Sequence, residues 1–119
     1  MTDLLLYIRP NAKRAAIIDD LLSMAAAGQQ AAVDAAITML ADLHQNGRDS
    51  SFAKKLQGQP VWELKTHARG GIKGGTRVYF YFRGGGAAVI VNAETKKGDT
   101  ASVALLVEAK RVFNQDNEV

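Results

Sequence analysis

The chain has 119 residues, 47% of them hydrophobic and 23% charged, and a formal net charge of +3. That size and balance suit one globular domain with its own core, leave little room for a second, and exclude a disordered chain. Cys is absent, which rules out a disulfide framework and a thiolate metal site.

The first expected element is a short strand, Leu4–Ile8, closed by Arg9-Pro10-Asn11. This apolar run is too short for a signal-peptide core and has no basic residue ahead of it. No stretch approaches the roughly 18 apolar residues of a spanning helix, so no membrane partner is expected. Residues 12–27 read as a helix, with Ile17, Ile18, Leu21 and Leu22 at helical spacing, Asn11 as a candidate cap and Gly28 as its end. A second helix spans 29–46, with Val33, Ile37, Leu40, Ala41 and His44 on one stripe, and Asn46-Gly47 stops it. The short linker at Gly28 makes the two an antiparallel hairpin.

Residues 48–60 read as a connection with one turn carrying Phe52, Lys55 and Leu56. The period then changes. Val61–Lys65 alternates as a strand, with Trp62 and Leu64 sharing a face directed at Ile37 and Leu40. Residues 67–76, HARGGIKGGT, form a glycine-rich connection. Thr76–Arg83 is a strongly patterned strand: Val78, Phe80 and Phe82 lie on one face, and Arg77, Tyr79, Tyr81 and Arg83 on the other. Gly84-Gly85-Gly86 turns into an apolar strand, 87–93, and a last helix runs from about Ala101 to Asn114, capped by Asp99 or Thr100.

The order is β-α-α-β-β-β-α. The fold class is α+β: a two-layer domain spanning residues 1–119, its antiparallel sheet packed against an N-terminal helical hairpin and a C-terminal helix. The pattern leaves open whether the last helix covers the Tyr79 and Tyr81 side, with both rings in the core, or leaves that side to solvent.

The charge is concentrated in the middle third. Residues 48–83 carry eight Lys or Arg and two acidic residues, against three and five before them and four and five after. Such a block focuses positive potential on one face and suits a phosphate backbone or an acidic protein. There is no phosphate loop, no nucleophile elbow and no His pair at metal spacing, so neither metal nor cofactor is expected. His44, on the apolar stripe, reads as structural; His67 borders the basic loop. The remaining constellation is cationic: Lys65, Arg69, Lys73, Arg77 and Arg83, with Tyr79 and Tyr81 between them and Lys96 and Lys97 after the next strand. Cations beside an exposed ring can hold phosphates while a base stacks. The alternative is a solvated sheet face; Arg77 is expected to be exposed, and its bland role is a modest surface pairing with Glu63 across the sheet.

From Lys55 to Phe82 the chain reads KLQGQPVWELKTHARGGIKGGTRVYFYF. This resembles the W-E-L-R … R-V-x-Y segment of the RelE/ParE toxin superfamily, and within it the HigB-like, phage-derived branch. The likeness continues through strand 87–93, Lys96-Lys97 and the helix carrying Glu108-Ala109. The resemblance implies a single toxin-like domain that pairs with an antitoxin and, as a ribosome-dependent endoribonuclease working without metal, cuts mRNA. Lys65, Arg77, Lys96 and Lys97 match the superfamily's basic positions, and such a toxin is expected in the cytoplasm. The chemistry of metal-free cleavage makes Arg77, Lys65, Lys73 and His67 the catalytic candidates, and the cationic constellation makes Arg69, Tyr79, Arg83, Lys96 and Lys97 the RNA-binding ones. Residues 94–119 lack the His or Tyr common in active members, and Asn92 stands where the branch often has His. Two alternatives therefore stand beside cleavage: a gyrase-poisoning toxin of the same fold, and a non-catalytic phage structural or adaptor protein. The candidate base is His67, Glu94 or Lys96.

Overall fold

The computed structural model describes residues 1–66, 75–96 and 102–117. Its elements are β1 (Leu4–Leu6), α1 (Ala16–Ala26), α2 (Gln30–Asn46), a 3-10 turn at Gly47–Asp49, β2 (Ala53–Lys55), β3 (Trp62–Lys65), β4 (Thr76–Phe82), β5 (Ala88–Thr95) and α3 (Val103–Asp116). The α+β class and the order of the expected elements hold. A short additional strand, β2, replaces the expected turn at Phe52–Leu56 and forms the edge beside β3.

The five strands lie in the order β1-β5-β4-β3-β2. The last four form antiparallel neighbours, and β1 joins β5 in parallel. A parallel return needs a long crossover, and the α1–α2 hairpin with β2–β4 supplies it. Asn11 adopts a left-handed φ of 63°, so α1 starts only at Ala16, whose N–H donates to the Tyr7 carbonyl at 2.8 Å. At its other end Gly28, φ 80°, donates to Ala25, and Gln29 donates to Met24. This paired closure needs a left-handed residue and turns the chain straight into α2.

Ile17, Leu21 and Met24 of α1 and Val33, Ala36, Met39 and Leu43 of α2 pack on Leu64, Val78, Phe80 and Ile90. The buried stripe of α2 is thus rotated from the expected one. Ile37 is 55% exposed, and His44 is exposed with its Nδ1 2.6 Å from the Thr2 carbonyl. Ala32 and Ala36 are wholly buried instead, because small side chains let α2 approach its neighbours closely. Trp62 is half-buried against Phe80 and Phe82, with Leu40 but not Ile37 in the same cluster.

The C-terminal helix takes the other face. Ala109 and Val112 of α3 cover Val61, Tyr79, Tyr81, Val89 and Val91, so helices lie on both sides of the sheet and the Tyr side is core. Ser102 caps α3, accepting from Leu105 N at 3.5 Å, and Asp99 and Thr100, the expected caps, lie outside the described residues. Within β5 the register shifts: Tyr79 pairs with Asn92, but Phe80 pairs with Ile90. Val91 is the extra residue of a bulge, and it brings Asn92, Glu94 and Lys96 onto the α3 face.

Candidate functional site: a charged row beyond the start of the C-terminal helix

Alternation along β3, β4 and β5 lays three cross-strand rows on the face that α3 covers. The first is apolar, built from Val61, Tyr81 and Val89, and lies under α3. The second is polar: Glu63 pairs with Tyr79, and Tyr79 with Asn92. The third is ionic: Lys65 pairs with Arg77, and Arg77 with Glu94. Lys96 follows on the same face of β5. The polarity gradient follows from α3, which begins at Val103, over the apolar rows.

Arg77 is the centre of this arrangement, and it is not the exposed side chain expected from the sequence. It is 2% exposed, and its Nη1 donates to Glu63 Oε2 at 3.0 Å, the Glu63 side chain being 3% exposed. The Arg77–Glu63 pairing is therefore an internal ion pair rather than a surface contact. Lys65 is half-buried, and no described carboxylate lies within 4.0 Å of it. Lys96 is 7% exposed, its Nζ 3.4 Å from the Thr66 carbonyl.

Glu94 sits at the open end of the row. Burial, foremost, raises its carboxyl above the ordinary range, while the Ser102 backbone N–H, the Arg77 guanidinium and the Tyr79 hydroxyl act against that rise. Burial and the nearby Glu94 charge likewise push the Tyr79 hydroxyl up. Tyr79 Oη and Glu94 Oε2 are both shut from solvent without a well-formed hydrogen bond among the described residues. Beside them lies an open cleft of about 510 Å³, lined by Glu94, Thr95, Ser102 and Leu105 on one side and Ser23, Met24, Ala27 and Gln29 on the other.

A second network fastens α3. Arg9 donates to Glu108 at 2.8 and 2.9 Å and to Asp20 at 3.1 and 3.3 Å. Asp20 accepts the Ala93 N–H at 3.0 Å, and Asn92 Nδ2 donates to Glu108 at 2.7 Å and to the Leu105 carbonyl at 3.1 Å. Asn92 is thereby a fastening for the helix rather than a reactive group.

The structure thus brings together Lys65, Arg77 and Lys96 from the expected set. Tyr79, expected to offer a stacking ring, is 0% exposed under α3 and unavailable to a base. Arg83 is exposed but lies beyond the far end of β4 from Arg77, held by Asp116 at 2.7 Å. His67, Arg69, Lys73 and Lys97 lie outside the described residues. Glu63, expected only as a surface partner of Arg77, is instead a buried member of the site. Among the described residues no cluster of His, Cys, Asp and Glu is arranged to hold a metal ion, and no helix is long and apolar enough to cross a membrane.

A family model described as phage derived protein Gp49-like (DUF891) matches residues 19–114, from the first turn of α1 to the last turns of α3. No curated protein is similar enough to match the chain.

Proposed function

The chain belongs to the phage-derived Gp49-like family, and from that premise we propose that it is the toxin of a toxin–antitoxin pair, a HigB-like member of the RelE/ParE superfamily that cleaves mRNA on the ribosome without a metal. The cytoplasm is its place of action, and a cognate antitoxin protein is its resting partner. The observation that carries this reading is the Lys65–Arg77–Glu94 row with Lys96 beside it, where cations meet a carboxyl of raised proton affinity.

In this reading the ribose 2′-oxygen attacks the adjacent phosphorus. Glu94 takes the 2′-hydroxyl proton, the new O2′–P bond forms, and the P–O5′ bond breaks. The 5′-oxygen leaves with a proton from Lys96 or from His67. The products are a 2′,3′-cyclic phosphate and a 5′-hydroxyl, and no redox partner or metal is needed. Charge that grows on the phosphate oxygens is met by Lys65 and Lys73. Arg77, held by Glu63, adds its field from below and orients the row, which makes it a positioning residue. Arg69, Lys96 and Lys97 hold the neighbouring backbone, and the ribosome supplies much of the substrate alignment.

Induced expression followed by mapping of mRNA 5′ ends tests the proposal. New ends within translated frames are expected from the wild type and none from Glu94→Gln. A specific observation favours the rival in which the same fold acts by protein binding: one donor of the site's arginine is already bonded to Glu63 inside the protein. Growth arrest with intact mRNA and accumulated gyrase–DNA cleavage complexes would establish that rival. Absence of any growth effect would point to a phage structural or adaptor role.

A further inference from the structure

Arg9, Arg14, Arg77, Arg83 and Arg111 each have a carboxylate within 4.0 Å. Arg48 alone among the described arginines has none. Its guanidinium carbon instead lies 4.2 Å from the centre of the Phe82 ring and 5.7 Å from that of Trp62. Those two rings meet edge to face at 5.0 Å, and both are half-buried. Stacking of this kind holds the guanidinium through its face and leaves its N–H edge free to donate. The Arg48 side chain is exposed.

The surroundings extend this cation into a path. Lys55 is the cross-strand partner of Trp62, so it shares the Arg48 face. Lys54 is the partner of Glu63, so it emerges on the opposite face, the one that carries Lys65 and Arg77. Both lysines are exposed, and β2 is the edge of the described sheet. The cations Arg48, Lys55, Lys54 and Lys65 therefore pass around the sheet edge from one face to the other and arrive at the charged row. Glu63 does not neutralise them, because it is buried and bonded to Arg77.

We propose that this edge is a binding track for the phosphate backbone of single-stranded RNA, with a base seated on the exposed part of Trp62. Charge complementarity and continuity choose the occupant. A flexible polyanion can wrap a strand edge and contact cations on both faces in succession. A base also has a flat face for Trp62, whereas an acidic peptide offers carboxylates alone. The direction of the track, toward Lys65, rests on the cleavage reading; the binding itself does not.

The test uses the full chain and a fluorescent single-stranded RNA whose 2′ positions are methylated, so that it binds without being cut. Titrations at several salt concentrations give affinity and salt slope together. Lys54→Gln/Lys55→Gln should weaken binding by roughly tenfold and reduce the slope by about 1.4, at ~0.7 per lost contact. Thermal melts should be unaltered, because both side chains are exposed. Arg48→Gln should act in the same direction and Arg48→Lys should restore it in part. Unchanged affinity and slope in the lysine pair would overturn the track and reduce the lysines to guards against edge pairing. Weakened binding of polyglutamate with unchanged RNA binding would overturn it in favour of an acidic protein partner. Binding of this RNA by a wild type that cuts no unmethylated mRNA on purified ribosomes would overturn the nuclease reading while leaving the track intact.

Discussion

Arg77 and Glu63 close an ion pair inside the protein, Nη1 to Oε2 at 3.0 Å, with 2% and 3% of the two side chains exposed. The pair sits diagonally across β4 and β3, between the polar and ionic rows. Removing Arg77 leaves the Glu63 carboxylate buried without its ion-pair partner, a change that costs about 3–5 kcal/mol. Arg77→Ala is therefore expected to lose much of the domain's stability, contrary to what an exposed arginine would do. Glu63→Leu combined with Arg77→Met should retain far more stability than either single change. Urea denaturation of the four proteins forms the double-mutant cycle. Additive single effects would show that the two charges are not coupled. The same geometry means that loss of activity in Arg77→Ala carries no chemical meaning until the melt is known.

Trp62 is expected to matter less than a fully buried tryptophan. It packs on Phe80 at 6.2 Å and Phe82 at 5.0 Å, yet part of it faces solvent. Trp62→Ala should cost about 2–3 kcal/mol, below the usual range for a buried aromatic. It should also release Arg48, so its effect should overlap with that of Arg48→Ala. Equilibrium unfolding of the single and double variants checks this, and a cost near zero would remove Trp62 from the core.

Strong periodicity made much of this fold legible. TRVYFYF carries alternation and β-branched or aromatic residues throughout, and β4 appears from Thr76 to Phe82, one residue short of the expected end at Arg83. Glycine chemistry placed the α1–α2 turn correctly, since a left-handed Gly28 lets its own N–H close on Ala25 and that of Gln29 close on Met24. The helix faces were less legible because hydrophobicity alone chose them. Ile18, Leu22 and Ile37 are 39%, 49% and 55% exposed, while Ala32 and Ala36 are buried, because close backbone approach selects small side chains. Burial of Arg77 was hidden for a related reason. Strand alternation shows which face a residue takes, but not whether a partner carboxylate holds it inside. The bulge at Val91 has no signature in Ala-Val-Ile-Val, yet it decides that Asn92 and Glu94 share the face of Arg77 and Tyr79.

Two carboxyls should leave opposite marks on the pH dependence of stability. Burial raises Glu94, so the folded chain keeps a proton that the unfolded chain has already released. That contribution is complete below the ordinary carboxylate value and is lost as pH rises through the folded one. Glu94→Gln should therefore stabilise the protein at neutral pH, with the difference vanishing in acid. Glu108 is held low, by Arg9 first and also by Asn92. Its contribution is present above the ordinary value and is lost as pH falls through the lowered one. Glu108→Gln should destabilise at neutral pH and converge on the wild type in acid. Urea midpoints from about pH 3 to pH 8 separate the two cases. Parallel curves for both variants would refute the assigned directions.

The decisive chemical expectation concerns Glu94. A base must be deprotonated to accept the 2′-hydroxyl proton, and its strength grows with its proton affinity. Glu94 meets both needs: its carboxyl is raised by burial, yet Arg77, the Ser102 N–H and the Tyr79 hydroxyl limit the rise. Cleavage on purified ribosomes should increase with pH through a value above the ordinary carboxylate range and then level. Glu94→Gln should lower the rate by about 10²–10⁴-fold, typical of a lost general base, and flatten that limb. Glu94→Asp keeps a carboxylate but draws it back by one methylene, so it should retain the limb at a reduced rate. Tyr79→Phe removes a group that favours the ionised carboxyl, so the limb should move toward alkaline pH without loss of the plateau. A purely structural role for Glu94 predicts something else: rates that follow the melting curve, with the pH limb unmoved in every variant that stays folded. An unmoved limb in Glu94→Gln, measured on folded protein, would transfer the role of base to another residue of the cluster.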